Sequence, residues 1–214
     1  MAEIYLVSNT PSNDESMINL PVSEIKFLKF SLNLDEFDAL VATSKNSFKA
    51  LEFNHIKIKP DMQIYAIGEP CAKAAKRCGF SKIYTAKNSH GGEFAAEISP
   101  LLKGKKTLYL RAKSIVSNLG EILKQNGILV SQIVAYESVC ARLDKEKMPP
   151  ENSVLIFSSP SNVKNFILNF GWLDSYKAVA IGETTAKELA KFTDPLVSAR
   201  QEINACVELA KTLL

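Results

Sequence analysis

Ser44, Ser159 and Thr184 each follow a short apolar run and open a helical pattern, and that placement suits the binding of anions. A strand that feeds a helix leaves the first N–H groups of the helix unpaired and the positive end of its dipole pointing outward, so a carboxylate can bind there. Each of the three also reads as an ordinary helix cap. Their number favours more than capping. Four such turns, after Thr43, Ile67, Phe157 and Ile181, are expected at the carboxyl edges of their sheets, where α/β proteins bind ligands.

Other chemistries lack the residues they need. No GxGxxG or GxxxxGK[ST] loop is present to cradle a nucleotide, and no GxSxG elbow or HExxH pair occurs. The histidines are His55 and His90, too few to spare for activating a serine or cysteine nucleophile. His90 reads as a solvated residue at a helix start, with Gly91-Gly92 beginning that helix. Cys71, Cys78, Cys140 and Cys206 show neither CxxC spacing nor nearby histidines, so no zinc site is expected. Cys71 and Cys78 share a helix face and read as packing residues, as do Phe166, Phe170 and Trp172. No metal and no cofactor is implied.

These residues need elements to position them. Apolar runs at 4–7, 39–43, 64–67, 83–85, 107–110, 154–157, 178–181 and 195–197 alternate with helical patterns, the signature of βα units in parallel sheets. An internal repeat sets the organisation. Residues 37–48 (FDALVATSKNSF) are echoed by 152–163 (NSVLIFSSPSNV), and 64–73 (IYAIGEPCAK) by 178–187 (AVAIGETTAK). Ser44 to Ser159 is 115 positions and Ile64 to Ala178 is 114, so the same pair of βα units occurs twice. Two similar α/β domains follow, each with a parallel sheet flanked by helices.

Composition agrees with an ordinary globular chain. Of 214 residues, 46% are hydrophobic and 23% charged, enough to bury two cores of about 100 residues each. The 26 basic and 23 acidic residues leave a net charge of +3 with no block of like charges, too weak a bias for nucleic acid. No run approaches the length of a membrane span or of a signal peptide's apolar region, so no membrane partner is expected and the chain reads as cytoplasmic, with reduced thiols.

The ordered set Lys106-Thr-Leu-Tyr-Leu-Arg111, Leu123-Lys-Gln-Asn-Gly127, Ile133-Val-Ala-Tyr136-Glu-Ser138, Phe157-Ser-Ser-Pro-Ser161 and Ala180-Ile-Gly-Glu-Thr-Thr-Ala186 resembles the uroporphyrinogen-III synthase family along essentially the whole chain. The resemblance implies flavodoxin-like domains, the first discontinuous over 1–31 and 139–214 and the second over 35–135. It also implies a connecting two-stranded β-ladder from 24–31 and 129–139, and a cleft that opens and closes by rotation at that ladder. One departure stands at the start. Where the family usually ends its first strand in Thr-Arg, this chain has Ser8-Asn9-Thr10-Pro11.

The resemblance further implies a lyase that closes hydroxymethylbilane, a linear tetrapyrrole with eight carboxylates, to uroporphyrinogen III with inversion of ring D, working as a monomer without a cofactor. Carboxylates would be met by Ser44, Asn46, Gly68, Arg111, Ser158, Ser159, Ser161, Gly182, Thr184 and Thr185, and Tyr136 would donate a proton toward the departing hydroxyl. A two-lobed protein that binds an anionic small molecule without turnover is the alternative reading. It predicts a cleft richer in stacking aromatics.

Overall fold

The computed structural model describes residues 3–86, 91–115 and 117–214. His90 therefore lies outside the described residues. In chain order the elements are β1 (Ile4–Val7), β2 (Ile18–Asn19), β3 (Ser23–Phe27), β4 (Ala39–Ala42), α1 (Lys45–Phe53), β5 (Gln63–Ala66), α2 (Gly68–Arg77), β6 (Lys82–Thr85), α3 (Gly91–Leu102), β7 (Lys106–Ala112), α4 (Leu119–Gln125), β8 (Leu129–Cys140), β9 (Val154–Phe157), α5 (Pro160–Phe170), β10 (Lys177–Ala180), α6 (Glu183–Leu189), β11 (Leu196–Val197) and α7 (Ile203–Lys211). They form two compact units, a terminal one of Met1–Glu24 and Val139–Leu214 and an inserted one of Ile25–Ser138. The chain passes from one to the other within β3 and returns within β8.

In the terminal unit the sheet order is β11-β10-β9-β1-β2, with each neighbouring pair parallel. Counted along that unit, the order is the flavodoxin-like 2-1-3-4-5. Strands β1 and β9 are buried at every residue, because a parallel sheet covered on both faces takes continuous apolar runs rather than alternating ones. On one face Val163 and Phe166 of α5 and Ala186 and Leu189 of α6 pack with Phe157 and Tyr176. On the other, Cys206, Val207 and Ala210 of α7 pack with Met17, Leu6 and Ile156. Residues 8–17 between β1 and β2 form no helix, and the Ser8 hydroxyl accepts the Thr10 N–H at 3.1 Å.

The inserted unit has the same spatial array of five parallel strands, but counted along its own chain from β4 their order is 3-2-1-4-5. Its order is β3-β8-β7-β4-β5-β6, in which β8-β7-β4-β5-β6 is parallel throughout. Phe48 and Leu51 of α1 and Cys71, Ala72 and Ala75 of α2 cover one face, while Phe94 and Ile98 of α3 and Leu119 and Leu123 of α4 cover the other. Central β4 and β9 are the two strands that the internal repeat aligns, and β5 and β10 lie beside them in the same sense. The strand order reverses between β4 and β7 here and between β9 and β1 in the terminal unit. Open α/β sheets bind ligands beyond such switch points. Burial pushes the Cys71 thiol up to about 12 and that of Cys78 to about 11, as expected of packing residues. Among the described residues no helix is long and apolar enough to cross a membrane.

Candidate functional site

At the carboxyl edge of the inserted unit, Ser44 caps α1 from extended backbone, its hydroxyl accepting the Asn46 N–H at 3.2 Å. The next strand enters α2 through Gly68, whose φ of +70° is a left-handed conformation that a side chain would strain. No side chain caps that helix, which leaves its first amides to a ligand or to water. Thr43 follows β4, with its hydroxyl 3.4 Å from the phenol of Tyr109.

Tyr136 reaches this edge through a bulge. Along β7 and β8, Arg111 pairs with Val134 but Ala112 pairs with Tyr136, so Ala135 is an extra residue. Neighbours on a regular strand face opposite sides, yet Ala135 and Tyr136 both belong to the cluster under α1 and α2. The bulge turns the phenol to the side where Ser44 stands. Tyr136 is 5% exposed, and burial raises its pKa above the ordinary tyrosine value while the nearby hydroxyls of Ser44 and Ser47 pull the other way. The phenol stays protonated at neutral pH and remains a proton donor.

Arg111 is the penultimate residue of β7, on the far side of the switch point. Its Nε donates to Gln132 Oε1 at 3.0 Å, and its NH1 donates to the carbonyls of Ala112 at 2.9 Å and Lys113 at 3.3 Å. Gln132 Nε2 in turn donates to Glu121 Oε1 at 3.1 Å. That arrangement requires Gly120: a Cβ there would lie 2.6 Å from the Gln132 amide.

The terminal unit carries the matching edge. Ser159 caps α5, accepting the Asn162 N–H at 3.3 Å, and its hydroxyl lies 3.0 Å from that of Ser161. The Ser158 hydroxyl accepts from Asn162 Nδ2 at 2.9 Å, and Asn162 is itself 3% exposed. Gly182 precedes α6 beside the Gln201 side chain. Thr184 is exposed on that helix, whereas Thr185 is 1% exposed. Of the threonine pair, Thr184 is therefore the one open to solvent, and Thr185 is buried.

The structure thus groups Ser44, Asn46, Gly68, Arg111 and Tyr136 on one sheet edge and Ser158, Ser159, Ser161, Gly182 and Thr184 on the other. Sequence reasoning did not single out Ser47, Gln132 and Asn162, whose side chains contact Tyr136, Arg111 and Ser158 respectively. A signal existed for two of them. Ser47 and Asn162 are repeat partners, 115 positions apart, and both are buried polar residues one turn into their helices. Among the described residues no cluster of His, Cys, Asp or Glu is arranged to hold a metal ion.

A family model described as uroporphyrinogen-III synthase HemD matches residues 12–208 of the chain. The structure is similar to that of uroporphyrinogen-III synthetase from Helicobacter pylori 26695, at 34% identity over 100% of both chains and a TM-score of 0.78. It is also similar to a mutant uroporphyrinogen III synthase from Thermus thermophilus, at 14% identity over 100% of this chain and 98% of that one, with a TM-score of 0.51. The latter likeness concerns the fold alone. A search of curated proteins returns no match.

Proposed function

The chain belongs to the uroporphyrinogen-III synthase family, and from that premise we propose that it closes hydroxymethylbilane to uroporphyrinogen III in haem biosynthesis, as a lyase that releases water. The pyrrole lone pair expels the terminal hydroxyl, which takes up a proton and leaves as water, giving an azafulvene. Attack on that electrophile by the substituted carbon of ring D forms a spiro intermediate, and its fragmentation and reclosure invert the ring. Attack by the free carbon would give the type I isomer instead. The substrate supplies its own driving force, so the protein's work is to hold carboxylates and exclude the wrong closure.

The observation that carries this reading is the pair of like edges, each offering free helix amides and hydroxyls at a switch point, one of them with a protonated phenol beside a capping serine. Carboxylates are bound at Ser44, Asn46 and Gly68, by the guanidinium of Arg111, and at Ser158, Ser159, Ser161, Gly182 and Thr184. Tyr136 donates to the departing hydroxyl. The test is incubation with freshly generated hydroxymethylbilane, with separation of the type III and type I products. A type III yield no greater than that of buffer alone would overturn the assignment and leave binding without turnover.

Gly120→Ala separates stability from substrate handling. Alanine favours a helix over glycine by up to about 1 kcal/mol, and the group it meets is the mobile end of Gln132, so folding should hold or improve. Displacing Gln132 frees the Arg111 guanidinium from its Nε partner. The expected outcome is an unchanged or higher Tm with KM raised several-fold and kcat little altered. An unchanged KM would remove Arg111 from the binding set.

A further inference from the structure

Asn54 and Asn169 are 115 positions apart, the spacing that relates Ser44 to Ser159. They share three bonds, to which Asn169 Nδ2 adds a contact with Cys140 Sγ at 3.3 Å. Asn54 Nδ2 donates to the carbonyls of Leu28 at 2.9 Å and Ala50 at 2.9 Å, and its Oδ1 accepts the Phe30 N–H at 3.2 Å. Asn169 Nδ2 donates to the carbonyls of Ala141 at 2.9 Å and Asn165 at 2.8 Å, and its Oδ1 accepts the Leu143 N–H at 2.9 Å. In each unit one amide thus grips a carbonyl and the N–H two residues on, and braces itself on the carbonyl four residues back along its own helix.

The gripped residue makes a further bond in both copies. The Leu28 N–H donates to the Ala135 carbonyl at 3.0 Å, and the Ala141 N–H donates to the Val22 carbonyl at 3.0 Å. Leu28 follows the strand by which the chain enters the inserted unit, and Ala141 follows the strand by which it returns to the terminal one. Each clamp therefore fixes an incoming strand against its new unit. A helix end needs no such device, since the last carbonyls of a helix are satisfied as well by water.

In the inserted unit the clamp bears on chemistry. Ala135 is the extra residue of the bulge, and the next residue is Tyr136. Resting on the reading of Tyr136 as proton donor, we propose that Asn54 is a positioning residue for that phenol: it holds Leu28, Leu28 holds the Ala135 carbonyl, and the bulge so pinned keeps Tyr136 turned toward Ser44. A bulge is the softest point of a strand ladder, and the placement of a general acid tolerates little drift.

The test compares Asn54→Ala, Asn169→Ala, Tyr136→Phe and the double variant Asn54→Ala/Tyr136→Phe at equal folded concentration. Both asparagine variants lose the three shared bonds, and Asn169→Ala also loses the Cys140 Sγ contact, so the Tm of Asn169→Ala should fall at least as far as that of Asn54→Ala. Asn54→Ala should lower kcat about 5- to 10-fold with KM little changed, a modest share of what general acids contribute. Asn169→Ala should keep kcat within about twofold, and Asn54→Ala should cost less than about twofold once the phenol is gone, the mark of coupled residues. Equal losses of kcat in the two asparagine variants, or an undiminished loss on top of Tyr136→Phe, would reduce Asn54 to a structural clamp. An unchanged rate in Tyr136→Phe alone would overturn the donor reading, and this inference with it.

Discussion

Phe166→Ala is expected to destabilise the terminal unit by about 3–5 kcal/mol, the usual cost of emptying a buried phenylalanine site. Phe166 has no exposed surface, and its ring centroid lies 5.5 Å from that of Phe157, 5.3 Å from Phe170, 6.3 Å from Trp172 and 6.1 Å from Tyr176. The rings are tilted or edge-on, so alanine forfeits aromatic contacts on several sides as well as buried area. Such a cluster cannot collapse around the gap without moving β9 or α5. The chain's single tryptophan belongs to this cluster, which gives the experiment a local reporter. Urea unfolding followed by tryptophan fluorescence reads the terminal unit, and far-UV circular dichroism reads both. With a urea dependence of about 1–3 kcal/mol per molar, the fluorescence midpoint should fall by about 1 M or more. The inserted unit, whose contacts are untouched, should retain its transition. A fluorescence shift below about 0.5 M would show that the cluster repacks and that β9 does not depend on it.

The strands beneath these residues were legible because burial on both faces writes an unbroken apolar run. Each of the eight expected runs is a strand, with ends displaced by a residue or two where a turn residue such as Thr43 or Ile181 continues the apolar pattern. β2 escaped notice for the opposite reason. Ile18 and Asn19 are both exposed, and only pairing with Tyr5 and Leu6 makes them a strand. At the site, Ser44 and Ser159 were legible because a cap is a local event read from the residues that follow it. Thr185 was not, since one position on a helix separates an exposed hydroxyl from a buried one, and packing decides which is which. Gln132, Asn162 and Asn54 act through partners 21 or more positions away, or through a neighbour whose orientation depends on the turn, and periodicity carries no such information. The bulge at Ala135 is of the same kind. Nothing in Ile133-Val-Ala-Tyr136 announces that two successive side chains share a face.

Tyr136→Phe removes one hydroxyl and leaves the ring in place, so the expected result is a slower enzyme that still folds. The ring packs in the cluster of Leu110, Ala135 and Phe48, and phenylalanine fills the same volume. Stability should change by about 1 kcal/mol or less, because the hydroxyl's partners are serines at a helix start that can turn to other acceptors. General-acid assistance typically contributes about 10²- to 10⁴-fold. A substrate that ionises with help from its own pyrrole nitrogen leans on that assistance less, so kcat should fall by about 100-fold or less, with some activity surviving. The pH dependence carries the sign of the pKa shift. Burial raises the phenol above its ordinary value, so the protonated donor persists through neutral pH, and the alkaline loss of kcat that deprotonation causes should lie above pH 10, the ordinary value for tyrosine. That limb should vanish in the phenylalanine variant. Product should remain mostly type III, since the choice of isomer depends on how carboxylates are held at the helix amides and at Arg111, none of which the substitution touches. Initial rates and isomer ratios of both proteins decide the matter: an unchanged rate removes Tyr136 from the mechanism, and type I product at near-normal rate makes it a residue that positions ring D instead of one that delivers a proton.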